Sequence, residues 1–434
     1  MTAHSFRSKT MFEVVSLVDR IEEVPVIATG TRWPTLREGR ASDEHFLRFP
    51  ECKDDPLRKD YGSVRTFPEP FARGGGFFPV LLLMADGKLC CASRTGSCHA
   101  GSGGEISLSF SSDQGRTWTD YQAVVRGDPE RNLDLRNPAF GQAKNGHLVL
   151  AYGVMSEIDV KGRISTRDPF KSIEVIRSED EGKTWSEPVS LAFPEKDLRL
   201  HPHGQMRRVS NGALVFNARG YYTQEAYDEN PKLPERMSYL YWSFDNGETW
   251  KESTPVKSGG SETGFLPLDE KHWLAYVRFN DQPNQFAHSF DGGKTWPRWE
   301  KTIFEAQNQG ASPGSIAALP NGKVLITYGY RAYPFGVRAV VSHDGGNTFD
   351  INREYIISDT AYHSDCGYPS TVCFEDGTIV TTAYTLMDVA HKEWGTSCIA
   401  YRYSQSLFGG TVYKPITARY MTDREKRNFR RLRK

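Results

Sequence analysis

Apolar residues recur along this chain in short runs that alternate with polar ones, and six stretches share a single form. They are FFPVLLLMADGKLCCASR at 77–94, NPAFGQAKNGHLVLAYG at 137–153, HPHGQMRRVSNGALVFNAR at 201–219, ETGFLPLDEKHWLAYVR at 262–278, SPGSIAALPNGKVLITYGYR at 312–331 and GYPSTVCFEDGTIVTTAYT at 367–385. Each opens on small or proline-containing sequence, enters an apolar strand, turns, and continues as a second alternating strand. A period of two places successive side chains on opposite faces of a strand, so each stretch predicts a hairpin. Five of the six turns are Asp-Gly or Asn-Gly, which suit two-residue hairpin loops because both central positions tolerate positive φ.

A second motif interleaves with the first. Ser-x-Asp-x-Gly-x-Thr-Trp/Phe occurs as SSDQGRTW at 111–118, SEDEGKTW at 178–185, SFDNGETW at 243–250, SFDGGKTW at 289–296 and SHDGGNTF at 342–349. The Asp can accept from the turn's backbone N–H groups, the Gly permits positive φ, and the aromatic ring tucks into the sheet. Hairpins repeating at roughly 50 to 65 residues point to radial repetition of small sheets. The expected fold is all-β, a six-bladed β-propeller over residues 65–410, with an N-terminal segment at 1–64 and a basic tail at 411–434. The sixth repeat lacks the second motif, IAYRYSQS at 399–406 standing where one would begin. The segment around Phe12 to Val18 is expected to supply its outer strand and close the ring. A seventh blade would have to lie within 20–70.

Composition narrows the function classes. Lys and Arg number 54 and Asp and Glu 54, so no excess of positive charge calls for nucleic acid or an anionic membrane. The tail from Arg424 to Lys434 is basic and reads as a solvated or helical terminus. Seven cysteines, an odd number, carry no metal-ligand spacing; Cys90 and Cys91 are neighbours in a strand and point to opposite faces. They read as reduced core residues, and with no leader-like run in the first 20 residues the expectation is a cytoplasmic protein. No metal and no cofactor is expected. Aromatic residues make up 12% of the chain, a supply that serves sugar-stacking surfaces and β-rich cores alike.

The repeated motifs resemble those of the sialidase (neuraminidase) superfamily, whose Asp boxes (BNR repeats) have this pattern, and the likeness covers roughly residues 65 to 405. It implies a six-bladed propeller with a carbohydrate partner at the central axis. In that superfamily a Glu opens the fourth inner strand and an Arg ends the same hairpin; Glu262 and Arg278 stand in that relation. A Tyr opens the sixth inner strand, and Tyr368 matches, with Asp376 in the following turn. The resemblance thus implies Tyr368 as nucleophile and Glu262 as its base, since an adjacent carboxylate can take the phenol's proton during attack on an anomeric carbon. Three arginines hold the substrate carboxylate in sialidases. Arg278 fits the second, and Arg331 or Arg338 the third, the spacing not choosing between them.

Two departures accompany the likeness. The first arginine is replaced by apolar sequence, Phe77-Phe78-Pro79, with Arg73 beyond three glycines. The acid/base Asp is absent from the loop CHAGSGGE at 98–105, where His99 is the proton donor at about the right distance and Glu105 the alternative. Other candidates face the same axis: His201 and His203 followed by Gln205 and Arg207, Arg136 and Asn137 opening the second inner strand, and His363 and Asp365 before Tyr368. His201, His203, Arg136 and Asp365 read as substrate-binding groups, and Tyr328, Tyr330, Tyr384 and Trp394 as stacking or packing rings. The leading expectation is an exo-acting glycoside hydrolase that is not an ordinary sialidase. The alternatives are a lyase acting on a uronate-containing glycan and a non-catalytic carbohydrate-binding propeller.

Overall fold

The computed structural model describes residues 13–27, 75–96, 103–128, 130–131, 133–156, 170–279, 282–301, 313–331, 335–361, 365–388 and 393–409. Strands dominate throughout. Two N-terminal strands, β1 (Glu13–Ser16) and β2 (Glu22–Ile27), precede a meander of β3 (Phe77–Leu83), β4 (Leu89–Thr95), β5 (Glu105–Ser111) and β6 (Gln122–Arg126). A second meander comprises β7 (Asp134–Gln142), β8 (Leu148–Met155), β9 (Phe170–Ser178) and the short β10 (Val189–Ser190). A third runs through β11 (Leu198–Arg208), β12 (Leu214–Tyr222), the helix α1 (Gln224–Glu229), β13 (Met237–Ser243) and β14 (Glu252–Ser258). Next come β15 (Thr263–Pro267), β16 (Trp273–Val277), β17 (Gln285–Ser289) and β18 (Arg298–Lys301), then β19 (Gly314–Ala318), β20 (Val324–Tyr330), β21 (Gly336–Ser342) and β22 (Arg353–Ser358). The last three strands are β23 (Cys366–Cys373), β24 (Thr378–Asp388) and β25 (Glu393–Ser404).

These strands form five sheets among the described residues. The second and third meanders join into one eight-stranded sheet, because β7 and β11 pair in parallel through Ala139–Gly204 and Phe140–Gln205. The N-terminus departs from expectation. Residues 13–16 do not complete the last sheet but lie parallel to β22, as a fifth strand on the sheet of β19–β22. The strand beside β25 is β2, antiparallel, with Val24 opposite Ala400. Its two most buried residues, Val26 and Ile27, explain the choice, since they join the core shared by the first and last repeats.

That shared core shows how the arrangement is propeller-like. Leu81, Leu89 and Cys91 from β3 and β4 pack against Val380, Cys398 and Ala400 from β24 and β25. Every other neighbouring pair of repeats shares a core in the same way, for example Val149 and Val175 against Phe216 and Tyr241. Burying both faces of each sheet supplies the main driving force. The five described cysteines are free thiols, four of them buried.

The Asp-box turns hold the outer hairpins. In the first, Asp113 Oδ1 accepts from Thr117 N (2.9 Å) and Ser111 Oγ (2.9 Å), while Thr117 Oγ1 donates to Asp113 Oδ2 (2.7 Å). The Trp118 indole closes the turn on Gly115 O (3.1 Å). Gln114 and Gly115 both have positive φ, 58° and 86°, as a mirror-type turn requires. No helix among the described residues is long and apolar enough to cross a membrane.

Candidate active site

The inner strands carry an irregularity that sets the site. Tyr368 (φ 51°), Phe78 (φ 53°) and Asn137 (φ 50°) occupy the left-handed region although none is glycine. Each precedes a proline, and in each strand the register shifts at that point: between Gly367 and Ser370, Phe77 and Val80, and Arg136 and Ala139. Such a backbone costs about 1–3 kcal/mol per residue and persists only where surrounding contacts enforce it. A bulge re-aims the side chain. Here Phe78 and Tyr368 turn onto a narrow axial cavity that is also lined by His203, Thr263, Gly314 and Ser370.

Below the site the cavity is closed by β11. Gly204 takes φ 77° and the register breaks between His203 and Arg207. Gln205 and Arg207 line the same cavity as His203. Gln205 Nε2 donates to Leu81 O (2.8 Å) and Thr371 O (3.1 Å), and an Arg207 terminal nitrogen donates to Ile316 O (2.7 Å). Burial lowers the Arg207 pKa to about 10.

Glu262 is the centre of the polar network and is wholly buried. Its Oε1 accepts from Tyr368 Oη (2.7 Å), Arg219 (2.7 Å) and Arg278 (3.2 Å). Its Oε2 accepts from Ser261 Oγ (2.7 Å) and again from Arg278 (3.2 Å). Arg278 also donates to the Tyr368 oxygen (3.2 Å). Burial alone would raise the Glu262 pKa, but Arg219, Arg278 and the bonds from its other neighbours hold it well below the usual carboxylate value. Burial and the nearby Glu262 charge raise the Tyr368 phenol instead. The proton therefore rests on Tyr368, aimed at Glu262. His203 meets the Tyr368 ring edge-on at 5.8 Å, its pKa lowered by burial to about 4, which keeps the imidazole neutral.

Around this pair the walls differ. Phe77, Phe78, Tyr368 and Tyr384 form an aromatic cluster, with Phe78 edge-on to Tyr368 at 4.9 Å. The Arg331 guanidinium lies over the Tyr368 ring (5.7 Å) and beside Asp365 (3.5 Å), and the Tyr384 hydroxyl donates to Asp365 (2.6 Å). Arg338 is placed elsewhere. Its guanidinium bonds Glu354 (2.9 Å), which also accepts from Tyr328, and stacks on Tyr330. It braces the sheet of β19–β22. Arg136 lies over the Phe78 ring at 5.3 Å, and His201 packs on Phe170 at 4.2 Å. Glu105 bonds Arg126 at the surface. His99, Arg73, His363 and the Trp394 side chain lie outside the described residues.

Arg219, absent from the sequence-based candidates, makes one of the two shortest ionic contacts at the site. A signal existed: the third hairpin ends on Arg219 as the fourth ends on Arg278. Arg219 stands opposite His201 in the β11–β12 register, as Arg278 stands opposite Glu262, bonded through its backbone N–H to Glu262 O (3.0 Å). Arg94 ends the first hairpin in the same way. It is fully buried in an ion pair with Asp134 (2.7 Å), tying β4 to β7.

Residues 79–381 match the family described as BNR repeat-like domain. The chain belongs to that family. Among relatives of this BNR repeat-like protein, a sialidase of Paraclostridium sordellii is 28% identical over 234 residues, covering 50% of this chain and 56% of that one. A sialidase of Clostridium perfringens is 21% identical over 248 residues, covering 51% and 63%. The match therefore spans less than two thirds of either relative. Among solved structures, a protein of unknown function from Dyadobacter fermentans superposes with TM-score 0.63 at 23% identity, covering 76% of this chain and 95% of that one. Trypanosoma rangeli sialidase in complex with sialic acid gives TM-score 0.56 at 18% identity, covering 76% and 55%. At such identities the structures establish the likeness of fold alone. Among the described residues, no group of three or more His, Cys, Asp or Glu side chains is arranged to hold a metal ion.

Proposed function

We propose that this BNR repeat-like protein is a sialidase-like, exo-acting glycoside hydrolase that is not an ordinary sialidase. In this reading the two halves of the eight-stranded sheet are separate blades, six in all, and the reaction lies on their common axis. The observation that carries the reading is the buried 2.7 Å contact between Tyr368 and Glu262, clamped by Arg278. The Tyr368 oxygen attacks the anomeric carbon while its proton passes to Glu262 Oε1. The glycosidic C–O bond breaks, and the departing oxygen takes a proton from a general acid, for which His99 is the proposed residue. Water then enters at the anomeric carbon, the Tyr368–carbon bond breaks, and the two protons return to their carriers. A charged Glu262 is a weak base in isolation, so proton transfer accompanies bond formation rather than preceding it. Arg278 steadies the charge that develops on the phenolic oxygen. The sialidases among its relatives support the reaction class, and the apolar Phe77–Phe78 wall supports a substrate other than the ordinary one.

A binding-only propeller is favoured by one feature: Glu262 is already saturated by donors. A panel of aryl sialosides, uronides and neutral glycosides separates the two readings. Hydrolysis abolished by Tyr368→Phe upholds the hydrolase; saccharide binding without turnover of any member replaces it.

A further inference from the structure

Arginines are distributed unevenly around Tyr368. Arg136 on β7 and Arg219 on β12 belong to the same eight-stranded sheet, and His201 of β11 is linked to both. His201 is the cross-strand partner of Arg219. Its Cβ lies against Gly153, which is the cross-strand partner of Arg136. Four hairpins end in arginine, but the second ends in Gly153, where an added Cβ would stand 2.9 Å from the Cβ of His201. The missing side chain makes the space that His201 occupies. Beside this sector stand Phe77, Phe78 and Tyr384, the Arg136 guanidinium lying over the Phe78 ring.

His201 is 1% exposed, and among the described residues neither ring nitrogen has a hydrogen-bond partner. Folded interiors pair such atoms with protein, water or ligand. Burial first, and then the Arg219 and Arg136 charges, keep the ring neutral, so one nitrogen donates and the other accepts. Arg136 and Arg219 are each only partly buried. Four guanidiniums, of Arg136, Arg219, Arg278 and Arg331, surround two carboxylates. Glu262 lies between Arg219 and Arg278, and Asp365 lies against Arg331.

We propose that the sector formed by Arg136, His201 and Arg219 is an anion site that receives a carboxylate or sulfate substituent of the saccharide. The neighbouring aromatic rings receive the sugar's C–H face. The identity of the anion's carrier rests on the reading of the pocket as a saccharide site; the anion site itself does not. It places the acidic group on the β7–β12 side of Tyr368, away from Arg331.

Titration calorimetry with inorganic sulfate on the full chain tests the site without any need for turnover. One sulfate binds per chain, and Arg136→Gln and Arg219→Gln each weaken it by roughly tenfold or more, the loss of one charge-assisted pair. Arg136→Gln leaves the bonds to Glu262 in place, so it decides the question even if Arg219→Gln unfolds; circular dichroism reports that. Absence of sulfate binding, or affinity lost in Arg331→Gln but unchanged in Arg136→Gln, overturns the proposal. Methyl glucuronide and methyl glucoside then identify the carrier, using Tyr368→Phe to prevent turnover. A preference for the glucuronide that Arg136→Gln removes upholds a sugar-borne anion. Sulfate binding with neither glycoside bound overturns the saccharide carrier.

Discussion

Replacing Glu262 by glutamine keeps its shape and removes its charge. The carboxylate sits 2.7 Å from one guanidinium and 3.2 Å from another. At an effective dielectric of about 20 each attraction is roughly 5–6 kcal/mol before desolvation is counted. Desolvation offsets much of this, and breaking a buried ionic group from one side costs about 3–5 kcal/mol in measured cases. The arginine side chains are 12% and 14% exposed, which favours the lower end, about 3 kcal/mol. The amide adds a mismatch, because its NH2 must face either the donors on Oε1 or those on Oε2. For a chain of this size the loss lowers the melting temperature by about 3 °C, at roughly 1 °C per kcal/mol. Thermal unfolding followed by circular dichroism at neutral pH reads it, and the same substitution made in Arg219→Gln costs less, by a coupling of about 1–2 kcal/mol. The pH dependence has a definite sign. Glu262 is depressed in the folded state, so its contribution is complete above the ordinary carboxylate value and fades as pH falls below it. The gap between wild type and Glu262→Gln therefore narrows in acid. A melting temperature unchanged within about 1 °C at neutral pH, or a gap that widens as pH falls, would refute a charged, doubly clamped Glu262.

Two further predictions concern the scaffold. Asp134→Asn strands the fully buried Arg94 and should cost about 3–5 kcal/mol, with Arg94→Met/Asp134→Leu recovering most of it, as urea unfolding would show. Asp245→Ala removes the acceptor for Ser243 and Thr249 and should cost roughly 1–2 kcal/mol. Burial works against the Asp245 charge, but those bonds hold its pKa below the ordinary Asp value. The loss should thus be full above about pH 5 and shrink as pH falls through the ordinary Asp range, which melting curves across pH would check.

How much of this was legible in the sequence depends on how far each residue lies from its partners along the chain. Tyr368, Glu262 and Arg278 were readable because the repeat fixes their positions at strand openings and ends. Arg219 shares the Arg278 position, yet its partner Glu262 lies on the next repeat, 43 residues away, and no local pattern announces that contact. Arg331 and Arg338 flank the same hairpin at similar spacing; Glu354 on β22 separates them by taking Arg338 into the sheet. At Gly204 positive φ breaks the register, which alternation does not announce, yet Gln205 and Arg207 still line the cavity that His203 lines. The N-terminal strand was misassigned because Val14 and Val15 of β1 and Val26 and Ile27 of β2 are equally apolar. Only tertiary packing decides which edge each strand covers.

The central claim, that Tyr368 attacks a sugar at this site, is tested most directly by intact-mass spectrometry of the protein quenched after reaction with activated fluoro-sugars. The expected result is a mass gain of one glycosyl unit, mapped by peptide digestion to Tyr368 and absent from Tyr368→Phe. Steady turnover with no adduct on Tyr368, or an adduct that persists in Tyr368→Phe, would contradict it.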